Sequence, residues 1–170
     1  DRCAGFGVDC PAISVNFSGR QFFYDQPEKK ILAIHHHHGT RQRIKLEITE
    51  STFIGTNYPV IRQTMDTLIH AGIGFYLDDF GTGYSNFSTL LKLPFETVKI
   101  DKSLISDILR DEQSRQFLKT LVAAISLAGS QVITEGVETI EQVEYLKSIG
   151  CNLIQGYVYC QPVGEQKLIE

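Results

Sequence analysis

The stretch GFYLDDFGTGYS, residues 74–85, decides the fold. It is a short apolar run that ends on two adjacent carboxylates, Asp78 and Asp79, and continues into a loop containing Gly81 and Gly83. A run of this length bounded by turn residues is typical of a buried strand. Because successive strand residues point to opposite faces, both carboxylates can reach one site only where the strand gives way to the loop.

The same arrangement recurs on both sides of this stretch. Five more short apolar runs end on a polar residue, namely Asn16, Glu47, Lys99, Glu135 and Gln155. Segments with helical periodicity separate the runs, so strand and helix alternate without a break, which predicts a parallel α/β sheet. Polar groups at the carboxyl ends of successive strands are typical of the mouth of a TIM-like (β/α)8 barrel. An open doubly wound sheet is the alternative, but it would not place polar groups on every strand end.

The length of the chain predicts one domain over residues 1–170. A closed barrel has eight strand units and about 250 residues. Six units are visible, so we expect barrel strands 3–8, with the first two strand units absent.

Composition narrows the class of protein. The apolar fraction of 42% and the charged fraction of 21% are those of a globular protein. A net charge of −4 argues against broad nucleic-acid binding, so no DNA partner is expected. The four cysteines lack zinc-site spacing, and the amino end has no signal pattern. We therefore expect a cytoplasmic protein, either alone or as the cytoplasmic domain of a larger, membrane-anchored protein.

The polar residues at the strand ends favour hard cations. Their oxygen-rich set suits Mg²⁺ or Mn²⁺, and no strand ends on His or Cys, which argues against zinc. Asp78 and Asp79 repel one another unless cations lie between them, although such a pair can also simply cap the turn that follows. Lys99 is costly to bury unless it faces carboxylates or phosphate, so it either serves the reaction or forms a structural ion pair.

Six segments then carry a family resemblance: SVNFS, LEITES, DDFGTGYS, VKID, EGVE and QGY, in this order. Together they resemble the EAL family of bacterial cyclic-di-GMP phosphodiesterases. The resemblance implies a (β/α)8 barrel with one antiparallel strand, two Mg²⁺ or Mn²⁺ ions, and hydrolysis of cyclic di-GMP to linear pGpG. It also implies a homodimer, and a GGDEF or sensory domain in the full-length protein. Because Ca²⁺ takes longer bonds and more ligands, it is expected to inhibit.

The resemblance also assigns roles to residues. Asn16, Glu47 and Asp78 would bind the first metal, and Asp79 the second. Lys99 and Glu135 would position and activate the attacking water, with Glu135 either a ligand or the base, and Gln155 would orient the site. The residues that would stabilise the neighbouring loops are Glu50, Gly81, Gly83 and Glu138. The Glu-Ala-Leu signature itself does not occur in the 170 residues.

Two other functions explain part of the pattern. One is a catalytically silent EAL-like module that binds cyclic di-GMP or a protein partner. Degenerate modules usually lose the Asp pair, the Lys or the Glu of EGVE, and all of these are present. The other is an enolase-type barrel, which explains the ring of acids but not DDFGTGYS.

Overall fold

The computed structural model describes residues 12–24, 26–37, 44–53, 57–82 and 87–164. Six strands and five α-helices alternate along these residues. The strands are β1 Ile13–Asn16, β2 Ile44–Thr49, β3 Gly74–Phe80, β4 Thr97–Ile100, β5 Gln131–Thr134 and β6 Leu153–Ile154. The helices are α1 Pro27–His37, α2 Tyr58–His70, α3 Phe87–Lys92, α4 Glu112–Leu127 and α5 Ile140–Ser148. Short 3-10 helices follow three strands, at Gly19–Phe23, Glu50–Phe53 and Lys102–Leu104.

The order of the strands confirms the barrel-type architecture. The sheet runs β1-β2-β3-β4-β5-β6, and all five neighbouring pairs are parallel. A doubly wound sheet reverses its strand order at a switch point, whereas a (β/α) barrel adds each strand beside the previous one. The described part of the chain therefore follows barrel topology, and the doubly wound alternative is excluded.

The two faces of the sheet have opposite character. Leu46, Phe75 and Val98 point outward, and they are buried in one hydrophobic core with the helices. Residues that alternate with them, such as Glu47 and Lys99, point to the inner face. The parallel register places the carboxyl ends of all six strands at one rim of this inner face, and that rim is where the polar residues collect.

The helices begin and end on signals that can be read in the sequence. Asp111 caps α4 by accepting hydrogen bonds from the backbone N–H groups of Gln113 and Ser114. Gly72 and Gly129 follow the ends of α2 and α4 with φ of +89° and +91°. Only glycine adopts this left-handed conformation without strain, which explains why both helices end there.

The last strand is shorter than its sequence suggests. The segment NLIQGYVY predicts a strand over residues 152–159, but β6 contains only Leu153 and Ile154. The chain turns at residues 156–159 instead, where Tyr159 N–H donates to the carbonyl oxygen of Gly156. Backbone hydrogen bonds of Val137, in the segment after β5, with Gln155 and Val158 override the local preference for a strand.

Two apolar side chains of β1 lie at the surface. Ile13 and Val15 on β1 point to the outer face and are 43% and 49% exposed. No helix within the described residues is both long enough and apolar enough to span a membrane.

Candidate metal centre

The centre of the site is one buried lysine at the end of β4. Lys99 Nζ lies 2.7 Å from Glu135 Oε1 and 3.0 Å from both Glu47 Oε1 and Asp78 Oδ1. The four side chains are between 7% and 19% exposed. They come from four different strand ends, and the parallel register is what brings them together.

A backbone irregularity explains how Asp78 and Asp79 both reach this rim. The pairing of β3 with β4 shifts between Leu77 and Phe80, so one extra residue is inserted in β3. Asp79 has a left-handed φ of +56°, which is rare for a residue other than glycine. The bulge returns Phe80 to the outer face, where it is fully buried, and leaves both carboxylates at the rim. The sequence predicts the pair at the transition from strand to loop, but it lies within β3 itself.

The geometry of the carboxylates fits a divalent cation. Ligand oxygens of Asp78, Asp79 and Glu135 all lie within 4.8 Å of one another. Asp78 Oδ1 is shielded from solvent, and although Lys99 lies nearby it accepts no hydrogen bond of good geometry. Carboxylate oxygens are the ligands that Mg²⁺ and Mn²⁺ prefer, so this donor set suits either ion.

The titration of the site reflects crowding of negative charge. Burial raises the pKa of Glu135, and Asp78 and Glu47 add to the shift, while Lys99 opposes it. Burial also raises the pKa of Asp79, with further contributions from Asp78 and Asp101. Burial disfavours the charge on Lys99, but contacts with Glu135, Asp78 and Glu47 outweigh burial and raise its pKa. One ammonium group is shared among too many carboxylates to neutralise them all.

The remaining predicted residues lie around this cluster. Asn16 stands beside Glu47 in the register of β1 and β2, and both line a cavity of about 720 Å³. Gln155 and Glu138 line a second cavity, of about 500 Å³. Glu50 is buried directly after β2 and lines neither cavity.

Of the two loop glycines, only Gly81 is described, since Gly83 lies outside the described residues. Gly81 has a φ of +105°, and an added Cβ would overlap the side chain of Leu104. Both facts favour glycine at this position.

Three residues near the site were not predicted. Asp101 follows β4, caps the 3-10 helix through Ser103 N–H, and adds negative charge near Asp79. Lys102 lines the same cavity as Gln155. Gln142 forms a capping box with Thr139 beside the EGVE segment. The pattern Thr-x-x-Gln could have revealed the capping box, since it is a known helix-start signature.

The fold and the site define the class of protein, a (β/α) barrel-type sheet with a cluster of carboxylates around one lysine at its strand ends. The family model of the EAL domain matches residues 4–162, so the chain belongs to the EAL domain family. Assignment of the whole range 1–170 to that domain stays a prediction.

Individual relatives support the family assignment. The cyclic di-GMP phosphodiesterase PdeL of Escherichia coli is 35% identical over 158 residues, which cover 92% of this chain and 43% of PdeL. The crystal structure of the EAL domain of Mycobacterium smegmatis DcpA superposes with a TM-score of 0.88 at 29% identity, covering 99% of this chain and 75% of that chain. The manganese and cyclic-di-GMP complex of Klebsiella pneumoniae BlrP1 has a TM-score of 0.81 at 26% identity, covering 94% of this chain and 41% of BlrP1. The chain thus spans less than half the length of PdeL.

Proposed function

We propose that this domain hydrolyses one phosphodiester bond of cyclic di-GMP to give linear pGpG, with two Mg²⁺ or Mn²⁺ ions as cofactors. The main support for the proposal is the balance of charge around Lys99. Four carboxylates lie at the rim, and they share the single ammonium group of Lys99. The resulting excess of negative charge would repel a phosphodiester unless cations were bound. A purely structural ion pair would not require this excess of negative charge.

The family resemblance assigns the ligands, and the positions of their side chains are compatible with that assignment. Asn16, Glu47 and Asp78 would hold one ion and Asp79 would hold the other, while Glu135, with a ligand oxygen within 4.8 Å of those of Asp78 and Asp79, would serve either as a further ligand or as the base. Paired divalent cations in such a site supply charge stabilisation for the phosphate and make a bound water more acidic.

The side chains of this chain would do the rest. In hydrolysis, a water oxygen forms a bond to phosphorus, one P–O ester bond breaks, and a proton reaches the leaving alkoxide. Lys99 would hold the attacking water and the phosphate oxygen by its positive charge. Glu135, whose carboxylate lies 2.7 Å from Lys99, is placed to take up the proton of that water. Gln155 would orient the substrate from the adjoining cavity.

Three relatives support this substrate and cofactor. PdeL is named a cyclic di-GMP phosphodiesterase, and BlrP1 has been solved with manganese and cyclic di-GMP together. MucR of Pseudomonas aeruginosa, described as a phosphodiesterase, has been solved in complex with cyclic di-GMP at 31% identity to this chain.

The test is turnover of cyclic di-GMP by the full-length protein with Mn²⁺, followed by chromatographic separation of nucleotides. We expect pGpG to accumulate, and exhaustive chelation of metal to stop the reaction. Full activity after chelation would contradict the metal-dependent mechanism. Tight binding of cyclic di-GMP without turnover would instead favour the catalytically silent module.

We also propose that the protein forms a homodimer through the outer surface of α3 and α4. This surface carries the exposed apolar side chains of Phe87, Leu91 and Phe117, and Phe87 and Phe117 line a groove of about 310 Å³. Contiguous exposed apolar surface is typical of interaction sites. The ring of Phe87 packs on Phe80, 5.6 Å between centroids, so the surface also contacts the strand that carries Asp78 and Asp79.

Light scattering can test the dimer. Phe117→Asp should shift the measured mass toward that of a monomer. Val60→Asp is the matched control, because Val60 is similarly exposed but lies on α2. A dimer that survives Phe117→Asp would place the interface elsewhere.

A further inference from the structure

Glu135 lies at the start of an irregular segment, residues 135–139, which we call the Glu135 loop. Glu135 N–H donates to the carbonyl oxygen of Ile100, 3.0 Å, and β5 ends at the preceding residue. Gly136 then takes a left-handed φ of +66° and packs against Lys102, whose Cβ would lie 2.5 Å from an added Cβ. The backbone conformation of Gly136 and its packing against Lys102 therefore both fix the direction in which the loop leaves the sheet.

The turn after β6 holds the middle of the Glu135 loop. Val137 N–H donates to the carbonyl oxygen of Gln155, 3.2 Å, and the Val137 carbonyl accepts from Val158 N–H, 3.1 Å. The side chain of Val137 is fully buried in the core. Two backbone hydrogen bonds and one buried side chain thus clasp the loop to the turn.

These contacts, which we call the clasp, require glycine at position 156. A Cβ added to Gly156 would lie 2.7 Å from the carbonyl carbon of Val137 and closer still to its oxygen and nitrogen. Gly156 is not among the glycines with left-handed φ, so space rather than conformation excludes larger residues. Because the colliding atoms belong to backbone, the collision cannot be relieved by a side-chain rotation.

A second contact holds the far end of the Glu135 loop. Gln142 Oε1 accepts hydrogen bonds from the backbone N–H groups of Glu138, 2.9 Å, and Thr139, 3.1 Å. The Gln142 side chain is buried, whereas Glu138 and Thr139 are exposed, so the fixed position of the Gln142 side chain anchors this end of the loop. Loss of this acceptor would release two backbone donors from the start of α5 and loosen this end of the loop.

We propose that Gly156 and Gln142 are positioning residues that hold the Glu135 carboxylate in the metal centre. They would keep Glu135 2.7 Å from Lys99 and within 4.8 Å of the ligand oxygens of Asp78 and Asp79. The inference rests on the proposed function, since it concerns the same site. A displacement of about 1 Å in such a site can cost on the order of 100-fold in rate.

The principal test is Gly156→Ala in the full chain. We expect hydrolysis to fall on the order of 100-fold and the affinity for Mn²⁺, measured by calorimetry, to fall at least about 10-fold. The amide of Val137 should also exchange hydrogen faster than in the wild type, which reports on the clasp without any metal.

Two other glycines supply controls. Gly164→Ala adds a methyl group to open space, and it should change nothing. Gly150→Ala also meets no atom within 4 Å, but its φ of +88° makes the substitution strained. It therefore measures general destabilisation away from the clasp, and we expect it to lower the melting temperature without weakening Mn²⁺ binding.

Gln142 provides a test that does not depend on how Gly156→Ala folds. Gln142→Ala removes the acceptor, and we expect roughly 10-fold weaker Mn²⁺ binding. Gln142→Glu keeps an acceptor oxygen in the same capping box and should restore the affinity. A merely structural role would lower stability in Gln142→Ala while leaving its Mn²⁺ affinity at the wild-type value.

The outcomes separate this inference from the proposed function. Wild-type affinity for Mn²⁺ in both Gly156→Ala and Gln142→Ala would overturn the positioning role and leave the metal centre standing. Equal losses in Gly156→Ala and Gly150→Ala would also overturn it. A wild-type protein that binds no Mn²⁺ would overturn the proposed function, and the positioning role with it.

Discussion

Two lysines on the inner face of the same sheet meet carboxylates in different ways. Lys45, near the amino end of β2, pairs with the single carboxylate of Glu96 and lies over the ring of Tyr76. Lys99, at the carboxyl end of β4, is shared by three carboxylates. The first arrangement is balanced in charge, whereas the second leaves negative charge uncompensated. Balance is typical of a structural ion pair, and the excess at Lys99 indicates a site for cations.

The largest expected effect comes from removing a carboxylate from the unbalanced cluster. Asp78→Asn should reduce hydrolysis to below about a thousandth of the wild-type rate, because the site would lose a carboxylate that lies within reach of Lys99, Asp79 and Glu135. The fold should persist, since the substitution removes one of several like charges. Turnover of cyclic di-GMP and circular dichroism check the two parts.

The matched control is Glu96→Gln, which alters the carboxylate of the balanced pair. It should leave hydrolysis unchanged. Retention of more than about a tenth of the activity by Asp78→Asn would reject its role as a ligand, given the 100-fold or larger losses typical of such groups.

Substitution of Lys99 should have the next largest effect. Lys99→Met should lower the hydrolysis rate on the order of 100-fold to 1,000-fold. It should also destabilise the metal-free protein by about 3 kcal/mol, because it leaves buried carboxylates without a partner. Added Mn²⁺ should recover much of that stability, since the cation replaces the missing positive charge.

Lys45→Met provides the comparison in the same assays. It should leave hydrolysis unchanged, and Mn²⁺ should not compensate for any loss of stability. If Mn²⁺ raised the melting temperature of both variants equally, the contrast between the two lysines would have no bearing on metal binding.

Replacing the cation should have a somewhat smaller effect. Mg²⁺ and Mn²⁺ bind oxygen ligands at short distances in octahedral geometry, whereas Ca²⁺ takes about 2.3–2.6 Å and more ligands. We expect Ca²⁺ to bind and to lower the rate on the order of 100-fold, since about 1 Å of misplacement has that cost. Steady-state kinetics should show Ca²⁺ competing with Mn²⁺ and not with cyclic di-GMP, and equal rates in Ca²⁺ and Mg²⁺ would rule out the proposed mechanism.

The contrast between the lysines was only partly predictable from sequence. Alternation of apolar runs and helical segments predicts a parallel sheet, and parallel strands must bring their carboxyl ends to one rim. That reasoning identifies Glu47, Asp78, Lys99 and Glu135 as neighbours. It cannot give their distances, because these depend on the register between strands, which no local pattern specifies.

Two other features depend on tertiary contacts. The bulge at Asp79 places a non-glycine residue in a left-handed conformation, which local propensity disfavours. The segment QGYVY has the aromatic and β-branched residues of a strand, yet it turns because Gly156 packs on the backbone of Val137. In both places the structure departs from local preference next to the proposed site.

The smallest expected effect is a change of folding stability with pH. Measuring this change tests how far Lys99 neutralises its carboxylate partners. Burial raises the pKa of Glu135 above the ordinary value of 4.5. Between 4.5 and the raised pKa, the folded state binds more protons than the unfolded state, so stability falls as pH rises through this window. Urea unfolding of metal-free protein should therefore show the wild type losing stability relative to Glu135→Gln as pH increases.

Asp111 supplies a control of opposite sign. Hydrogen bonds from Ser114 lower its pKa below 3.8, so its contribution is present above 3.8 and is lost as pH falls through the lowered pKa. The wild type should therefore gain stability relative to Asp111→Asn as pH rises through that lower range.

Mn²⁺ should remove the loss of stability at Glu135, because it binds the ionised carboxylate and competes with the proton. If wild type and Glu135→Gln had parallel pH profiles without metal, Lys99 would neutralise Glu135 fully, and the charge excess would have to reside on Asp78 and Asp79.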